Sequence, residues 1–446
     1  MWLLLIAACT APNAPAGGPS VLWISLDTTR ADHLGVYGGP AATPTLDALA
    51  TRSIVYERLY TTFPETALAH WALLTGVLPE VHGNVPGAGR SRYTGPTAAE
   101  IAKERGYATA AFIGGITLQA AATGLNRGFD LYDDRIPPNP VDMKRDGDEV
   151  VRLARTWLAA QARPWFAFVH LFDAHFPYTP DDPHRYDADY AGAVDGSDRT
   201  LRPYRDAGAP IAEVDRVHAA ALYDAELTEL DATLAPLLSA VADDTIVVVT
   251  ADHGESFEHA YLFNHRGSLA DGMLHVPWIL RVPGIEATRV SEVVSNVDVL
   301  PTVAAAAGWT LDGPVHGRVA LPGATGSSVV WARTDPWMVT PLAGGLVGPL
   351  LALRTEAWKV VWAGDGHVRS YDLAADPGED HPVDPPAALL DARSQYDDAL
   401  ARMARWQGPV TNGRTPGPGE GPMLEALGYV EPAGGRGPPP PRPGPR

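Results

Sequence analysis

Residues 63–79 read FPETALAHWALLTGVLP and set a hydroxyl, Thr66, one helical turn ahead of an imidazole, His70. Positions i and i+4 of a helix are neighbours on one face, so the two side chains would look out together from a helix start. Such a pair is either a nucleophile with its companion or a plain helix cap beside a buried histidine. Three apolar runs end in ionisable residues: VLWISLD in Asp27, WFAFVHLFDAH in Asp173 and His175, and IVVVTADHGE in Asp252 and His253. Two carboxylates and an imidazole from separate strand ends, joined by a hydroxyl at a helix start, form an oxygen-rich donor set with one nitrogen. That set suits a divalent cation such as Mn, Zn, Mg or Ca. Taken singly, each has a structural reading: Asp27 or Thr66 as an N-cap, and His70, His175, His259, His265 and His275 as satisfied, partly buried histidines. Asp252-His253 resists it most, because a strand this apolar ending in two ionisable groups must find them partners near the core.

The elements that would position these residues are short apolar runs alternating with helical patterns, which predicts an α/β fold with a mostly parallel sheet sandwiched by helices. The expected strands are Val21 to Leu26, Ala108 to Ile113, Trp165 to Leu171, Thr245 to Thr250 and Val276 to Val282. Leu227, Leu230, Leu234, Leu238 and Val241 recur at helical spacing within an expected helix from Leu222 to Val241. In open parallel sheets ligands gather beyond the carboxyl ends of the strands, where Asp27, Asp173, His175, Asp252 and His253 fall. Residues 179–216, rich in Asp, Pro and Tyr without periodicity, read as a surface insertion able to shape a substrate pocket. After about residue 340 short alternating segments predict a small C-terminal antiparallel subdomain, with a helix from Pro386 to Trp406. The division expected is a leader and tether at 1–19, a main domain at 20–340, an α+β subdomain at 341–410 and a Pro/Gly-rich tail at 411–446.

The chain has 446 residues, 46% hydrophobic and 20% charged, with a formal net charge of -19. That balance gives a large core and argues against a general nucleic-acid surface or an anionic-membrane surface, both of which need basic patches. The single cysteine, Cys9, excludes an intrachain disulfide and any multi-cysteine metal site. It closes the run MWLLLIAAC, which resembles the bacterial lipobox, and the following TAPNAPAGGPS reads as a tether. The expectation is a lipid-anchored protein of the cell envelope, facing the periplasm or exterior and touching membrane only through that anchor.

The motifs together resemble the sulfatases and the wider alkaline phosphatase superfamily, from Ser20 to Tyr429. SVLWISLDTTRADHLGVYG is similar to the family's opening strand and metal-binding Asp, and TALAHWALLTGVLP to its nucleophile motif. HLFDAHFPY, TIVVVTADHGESF, FNHRGSLADGMLHVP, VDVLPT and YDLAADPGE follow further landmarks in order. The resemblance implies an alkaline phosphatase-like fold, with Asp27, Thr66, Asp252 and His253 at one metal and Thr66 as nucleophile. It further implies His70 at the place of an arginine beside the nucleophile, His175 contacting the ester, and His265 or Arg266 binding the anion. A second metal is implied only if Asp173, His175 and His265 meet.

The departures from the pattern bear on chemistry. Usual sulfatases oxidise a Cys or Ser at the nucleophile position to formylglycine, whereas residues 60–79 contain neither. A threonine there is similar to the phosphodiesterases and phosphoethanolamine transferases of the superfamily. Three readings follow: a metal-dependent hydrolase of phosphate or sulfate esters acting on an anionic glycan, lipid or small molecule; a phosphoryl-group transferase on envelope glycans or lipids; and a metal-binding pseudoenzyme.

Overall fold

The computed structural model describes residues 18–83, 91, 93–137, 144–162, 164–207, 209–258, 262–265, 267–313, 315–324, 329–334 and 348–403. Cys9, His259, Arg266 and the Pro/Gly-rich tail lie outside the described residues.

The main sheet has eight strands: β1 (Val21–Leu26), β2 (Ile54–Tyr60), β3 (Ala108–Ile113), β4 (Leu131–Asp133), β5 (Trp165–Leu171), β6 (Ile246–Thr250), β7 (His275–Arg281) and β8 (Thr288–Ser295). Their spatial order is β4-β3-β5-β1-β6-β7-β2-β8. Every neighbouring pair is parallel except the two made by β7, which runs against both β6 and β2. The expected strands at 21, 108 and 165 keep their bounds, and the expected run Val276 to Val282 is the reversed strand. β2, β4 and β8 escape a search for unbroken apolar runs. β4 has three residues, and β2 and β8 carry Glu57, Arg58, Arg289 and Glu292 towards the sheet's edge.

Because strand side chains alternate between faces, β1 feeds two cores. Val21 and Trp23 pack with the helices Thr66–Thr75, Ala98–Glu104 and Val299–Ala307, while Leu22, Ile24 and Leu26 pack with the helices Gly147–Ala160 and Glu213–Ser239. Each fully buried aliphatic side chain in these layers contributes about 1.5–3 kcal/mol relative to exposure. The long helix starts at Glu213, earlier than the spacing of its leucines indicates. Polar residues fill its first turns, where His218 and Glu226 are buried against the expected insertion and Asp224 against His33. That insertion contains a helix, Asp198–Ala207.

A second, antiparallel sheet orders β12-β11-β10-β9, from β9 (Val330–Arg333), β10 (Leu350–Arg354), β11 (Trp358–Ala363) and β12 (Val368–Asp372). Its first strand precedes the change of pattern expected at 340. The expected C-terminal helix is two pieces, Ala387–Leu390 and Ala392–Met403. No helix among the described residues is long and apolar enough to cross a membrane.

Candidate active site

The carboxyl edge of the central strands holds the site. β1 and β6 are neighbours in register, so the residues just past their ends, Asp27 and Asp252, arrive side by side. The turn between them is tight: Thr28 has φ 57, a left-handed conformation costly for a β-branched residue. Four bonds hold it there. Thr28 N–H donates to Asp252 Oδ1 at 3.2 Å, its hydroxyl donates to Asp27 Oδ1 at 2.6 Å, Tyr223 donates to Thr28 O at 2.8 Å, and Arg30 N–H donates to Tyr223 Oη at 2.9 Å. Strain concentrated at a polar cluster of this kind marks a functional site.

Asp27, Asp252 and His253 bring their ligand atoms within 4.8 Å of one another, all three fully buried. Their chemistry fits a divalent cation on three counts. Asp252 Oδ1 accepts from the N–H groups of Thr28 and His253, while Asp252 Oδ2 is buried without a hydrogen-bond partner. His253 donates Nδ1–H to Gly254 O at 3.0 Å, which fixes the tautomer and leaves Nε2 with its lone pair, 3.3 Å from Asp252 Oδ2. Two buried carboxylates side by side are also stabilised in their charged form by a positive charge between them.

The charges respond accordingly. Burial first, and for Asp252 the neighbouring Asp27 charge next, pushes both carboxyls above their usual range. Burial pulls His253 down, but Asp252 and Asp27 outweigh it and raise its pKa. All three groups therefore hold protons in the metal-free fold that the unfolded chain gives up at lower pH. A group raised on folding stabilises below its unfolded value and loses that contribution as pH rises through its folded one. The metal-free protein is thus expected to lose stability as pH climbs from the usual carboxylate range, and the stabilisation produced by added Mn²⁺ is expected to grow over the same interval. Thermal melts with and without metal across a pH series check this; a metal effect independent of pH contradicts it.

Thr66 opens the Thr66–Thr75 helix without capping it. The N-cap is Glu65, whose carboxylate accepts from Leu68 N. The buried Thr66 hydroxyl instead faces the cluster, 3.3 Å from His253 Nε2 and bonded to the Asp27 carboxylate. His70 sits one turn on and is wholly buried. Its Nδ1–H donates to Thr66 O at 2.7 Å and its Nε2 accepts from the Ser25 hydroxyl at 2.8 Å. With both nitrogens engaged it holds the first helical turn against β1 rather than meeting an incoming anion. Burial lowers its pKa to about 4, so it is neutral beside Asp252, 3.6 Å away.

His175 and His265 approach from two other loops. His175 stacks on Phe172 and donates Nδ1–H to Phe176 O at 2.7 Å, and burial holds its pKa well below the usual value. His265 donates Nδ1–H to Pro64 O at 2.9 Å and stacks on His253 with ring centres 4.0 Å apart. The two rings are 5.8 Å from each other. Asp173 is not gathered with them: its carboxylate turns to Gly147 N–H at 3.1 Å, at the start of the Gly147–Ala160 helix. Among the described residues the one group of three or more close ligand atoms is Asp27, Asp252 and His253, so the condition set for a second metal is not met. His275 bonds Glu57 O from β7.

His170, on β5, escapes the sequence reading. It stands opposite Ser25 in register, and its Nε2–H donates to Asp27 Oδ2 at 2.9 Å. Burial lowers its pKa to about 4, so it is a neutral donor that orients the Asp27 carboxylate of the candidate metal cluster. Its signal was an imidazole inside the otherwise apolar WFAFVHL. Replacing it as His170→Phe is expected to weaken Mn²⁺ or Zn²⁺ binding about 10–100-fold, measured by calorimetric titration; unchanged affinity in the folded variant removes this role.

The Sulfatase family model matches residues 19–309. This chain belongs to the sulfatase family. A stretch is 33% identical to arylsulfatase K of Canis lupus familiaris over 176 residues, 36% of this chain and 32% of that protein, so the match takes in about a third of that relative's length. Choline-sulfatase of Rhizobium meliloti (strain 1021) is 26% identical over 81% of this chain and 82% of its own. Among solved structures, phosphonate monoester hydrolase of Agrobacterium radiobacter superposes with a TM-score of 0.69 at 21% identity, covering 89% of this chain and all of that one. A 2-O GAG sulfatase superposes at 0.68 with 20% identity over 86% and 92%. The fold is accordingly the alkaline phosphatase-like one of sulfatases, with the mixed eight-stranded sheet and the separate four-stranded one.

Proposed function

We propose that this sulfatase-family chain is a metal-dependent hydrolase of sulfate or phosphate esters in which Thr66 is the nucleophile. The observation that carries the reading is the Thr66 hydroxyl, released from capping by Glu65 and turned onto Asp27 and His253. Family relatives named for sulfate esters and a structural neighbour named for phosphonate esters support both ester classes. Formylglycine chemistry has no precursor in this segment.

Asp27, Asp252, His253 and Thr66 would hold the cation, Mn, Zn, Mg or Ca. When bound it would lower the pKa of the Thr66 hydroxyl and polarise a nonbridging ester oxygen. Thr66 Oγ, having lost its proton, bonds to sulfur or phosphorus while the bond to the departing alcohol oxygen breaks. The N-terminal end of the helix favours an anion held near it, with Leu68 N–H already taken by the Glu65 carboxylate. His175 and His265 flank the departing group. Each has its Nδ1–H tied to a carbonyl, which fixes the ring, and His175 becomes a proton donor only when an anion against it offsets the cost of burial. Water then attacks sulfur or phosphorus of the covalent Thr66 ester, the bond to Thr66 Oγ breaks, and the anion leaves as a proton from that water restores the hydroxyl. Attack by water rather than by an acceptor alcohol separates this reading from a transferase. We extend the proposal to an envelope location through Cys9, on its sequence alone.

The test is the full chain assayed with Mn²⁺, Zn²⁺, Mg²⁺ and Ca²⁺ supplied singly against aryl sulfate, aryl phosphate, a phosphate diester and a phosphonate monoester. Turnover of at least one, lost to chelation and restored by metal, is expected. Bound metal with no turnover of any ester, with or without an acceptor alcohol, would favour an interaction protein.

A further inference from the structure

The motif YDLAADPGE lies outside the candidate active site. Its last residue, Glu379, has φ 60, strained for an L side chain, and reaches from the C-terminal segment back to the main sheet. There its Oε1 accepts from Asp271 N–H at 2.8 Å and from Lys359 Nζ at 2.8 Å. Lys359, one of three lysines in the chain and fully buried on β11, also donates to Asp271 Oδ1 at 2.8 Å, and Arg354 on β10 donates to Asp271 Oδ2 at 3.1 Å. Against the cost of burial, the charges of Lys359 and Arg354 hold the Asp271 carboxyl well below its usual range.

Asp271 begins the one-turn helix Asp271–Leu274, whose last two carbonyls carry the two halves of the site. Met273 O accepts from Gly254 N–H at 2.9 Å, and Gly254 O in turn fixes the His253 tautomer. Leu274 O accepts from Thr61 N–H at 2.9 Å, five residues before Thr66. Gly254 lies so close that a Cβ on it would stand 2.1 Å from Gly272 O, so this contact admits only glycine. The second sheet also touches the nucleophile segment directly, Arg333 N–H on β9 donating to Thr62 O at 3.0 Å.

We propose that the C-terminal sheet braces the catalytic centre: the Lys359–Asp271–Glu379 knot fixes the helix that spaces the metal loop from the nucleophile segment, making Lys359 a positioning residue for the cation. This rests on the reading of Asp27, Asp252 and His253 as metal ligands. The rival role is simple adhesion between the two sheets, which would lower stability without touching metal affinity.

The experiment compares full-length wild type with Lys359→Met and Glu379→Gln, and with Leu158→Ala on the distant Gly147–Ala160 helix as a control for general destabilisation. Mn²⁺ and Zn²⁺ affinities are taken by calorimetry, and amide exchange is followed at Thr61 and Gly254 without metal. A loss of about 10–100-fold in affinity for Lys359→Met, a smaller loss for Glu379→Gln, partial rescue by Lys359→Arg and faster exchange at both amides are expected, with the control keeping affinity within about twofold. Folded variants with wild-type affinity and exchange overturn the brace. If Lys359→Met does not fold, Glu379→Gln decides, since its amide oxygen still accepts from Asp271 N–H while the charge facing Lys359 is gone. A wild type that binds no divalent ion removes the metal centre instead, and the exchange measurement then decides the brace by itself.

Discussion

Thr66→Ala is expected to lower kcat/KM towards every ester this chain turns over by about four orders of magnitude or more, the scale of losing a covalent nucleophile. The structure separates that loss from a folding defect. The helix start is capped by Glu65, and its first turn is pinned by His70 between Thr66 O and Ser25, so neither support uses the Thr66 side chain. Truncation costs about 1–2 kcal/mol in lost hydroxyl and methyl contacts, small for a domain with two extensive cores. Thr66→Ser keeps an oxygen on the same Cα but loses the χ1 restriction of a β-branched residue, and should retain a measurable fraction of the rate. Metal affinity in Thr66→Ala should fall far less than activity, because the two carboxylates and His253 remain. Near-wild-type turnover in Thr66→Ala would transfer the nucleophilic role to water and end the proposed covalent step.

Asp252→Asn should give a pair of effects of opposite sign. The amide can keep its oxygen on the N–H groups of Thr28 and His253, placing NH₂ where Oδ2 now stands without a partner. That NH₂ repels a cation, so affinity for Mn²⁺ or Zn²⁺ is expected to drop by about 100-fold or more, equivalent to about 2.7 kcal/mol, with turnover lost in parallel. In metal-free buffer the same variant should melt higher than wild type, since a buried charge beside Asp27 has gone. Metal added to wild type raises its melting point by mass action, and the curves of the two proteins should cross as metal increases. Melts over a metal titration measure both effects at once; a variant less stable without metal and still stabilised by it would mean that Asp252 serves the fold and not a cation.

Much of the site could be read from residue order, because burial makes ionisable groups conspicuous. Asp27 and Asp252-His253 end runs with no other ionisable residue in them, and Thr66 begins a run in which His70 is the one ionisable residue. His170 was equally conspicuous inside β5, but a residue within a strand carries no sign of which face it occupies or what stands opposite. Only the pairing of Ser25 with His170 puts its ring at Asp27. Asp173 shows the converse: it follows β5 as Asp27 and Asp252 follow β1 and β6, yet its carboxylate accepts from Gly147 N–H at a helix start.

The amino-acid order by itself therefore determined the layers, the edge of the sheet at which polar groups collect, and the lack of any Cys or Ser in residues 60–79. Those are properties of local pattern, and hydrophobic periodicity fixes them before any long-range contact forms. Tertiary structure alone decided that Thr66 is not a cap, that His70 faces β1 and the helix backbone, that β7 runs backwards, and that Lys359, some hundred residues downstream of Asp252, is bonded to Asp271 and Glu379. Each depends on a hydrogen bond between residues far apart in the chain, and such a bond is selected by the spacing of whole elements, which no local window of residues contains.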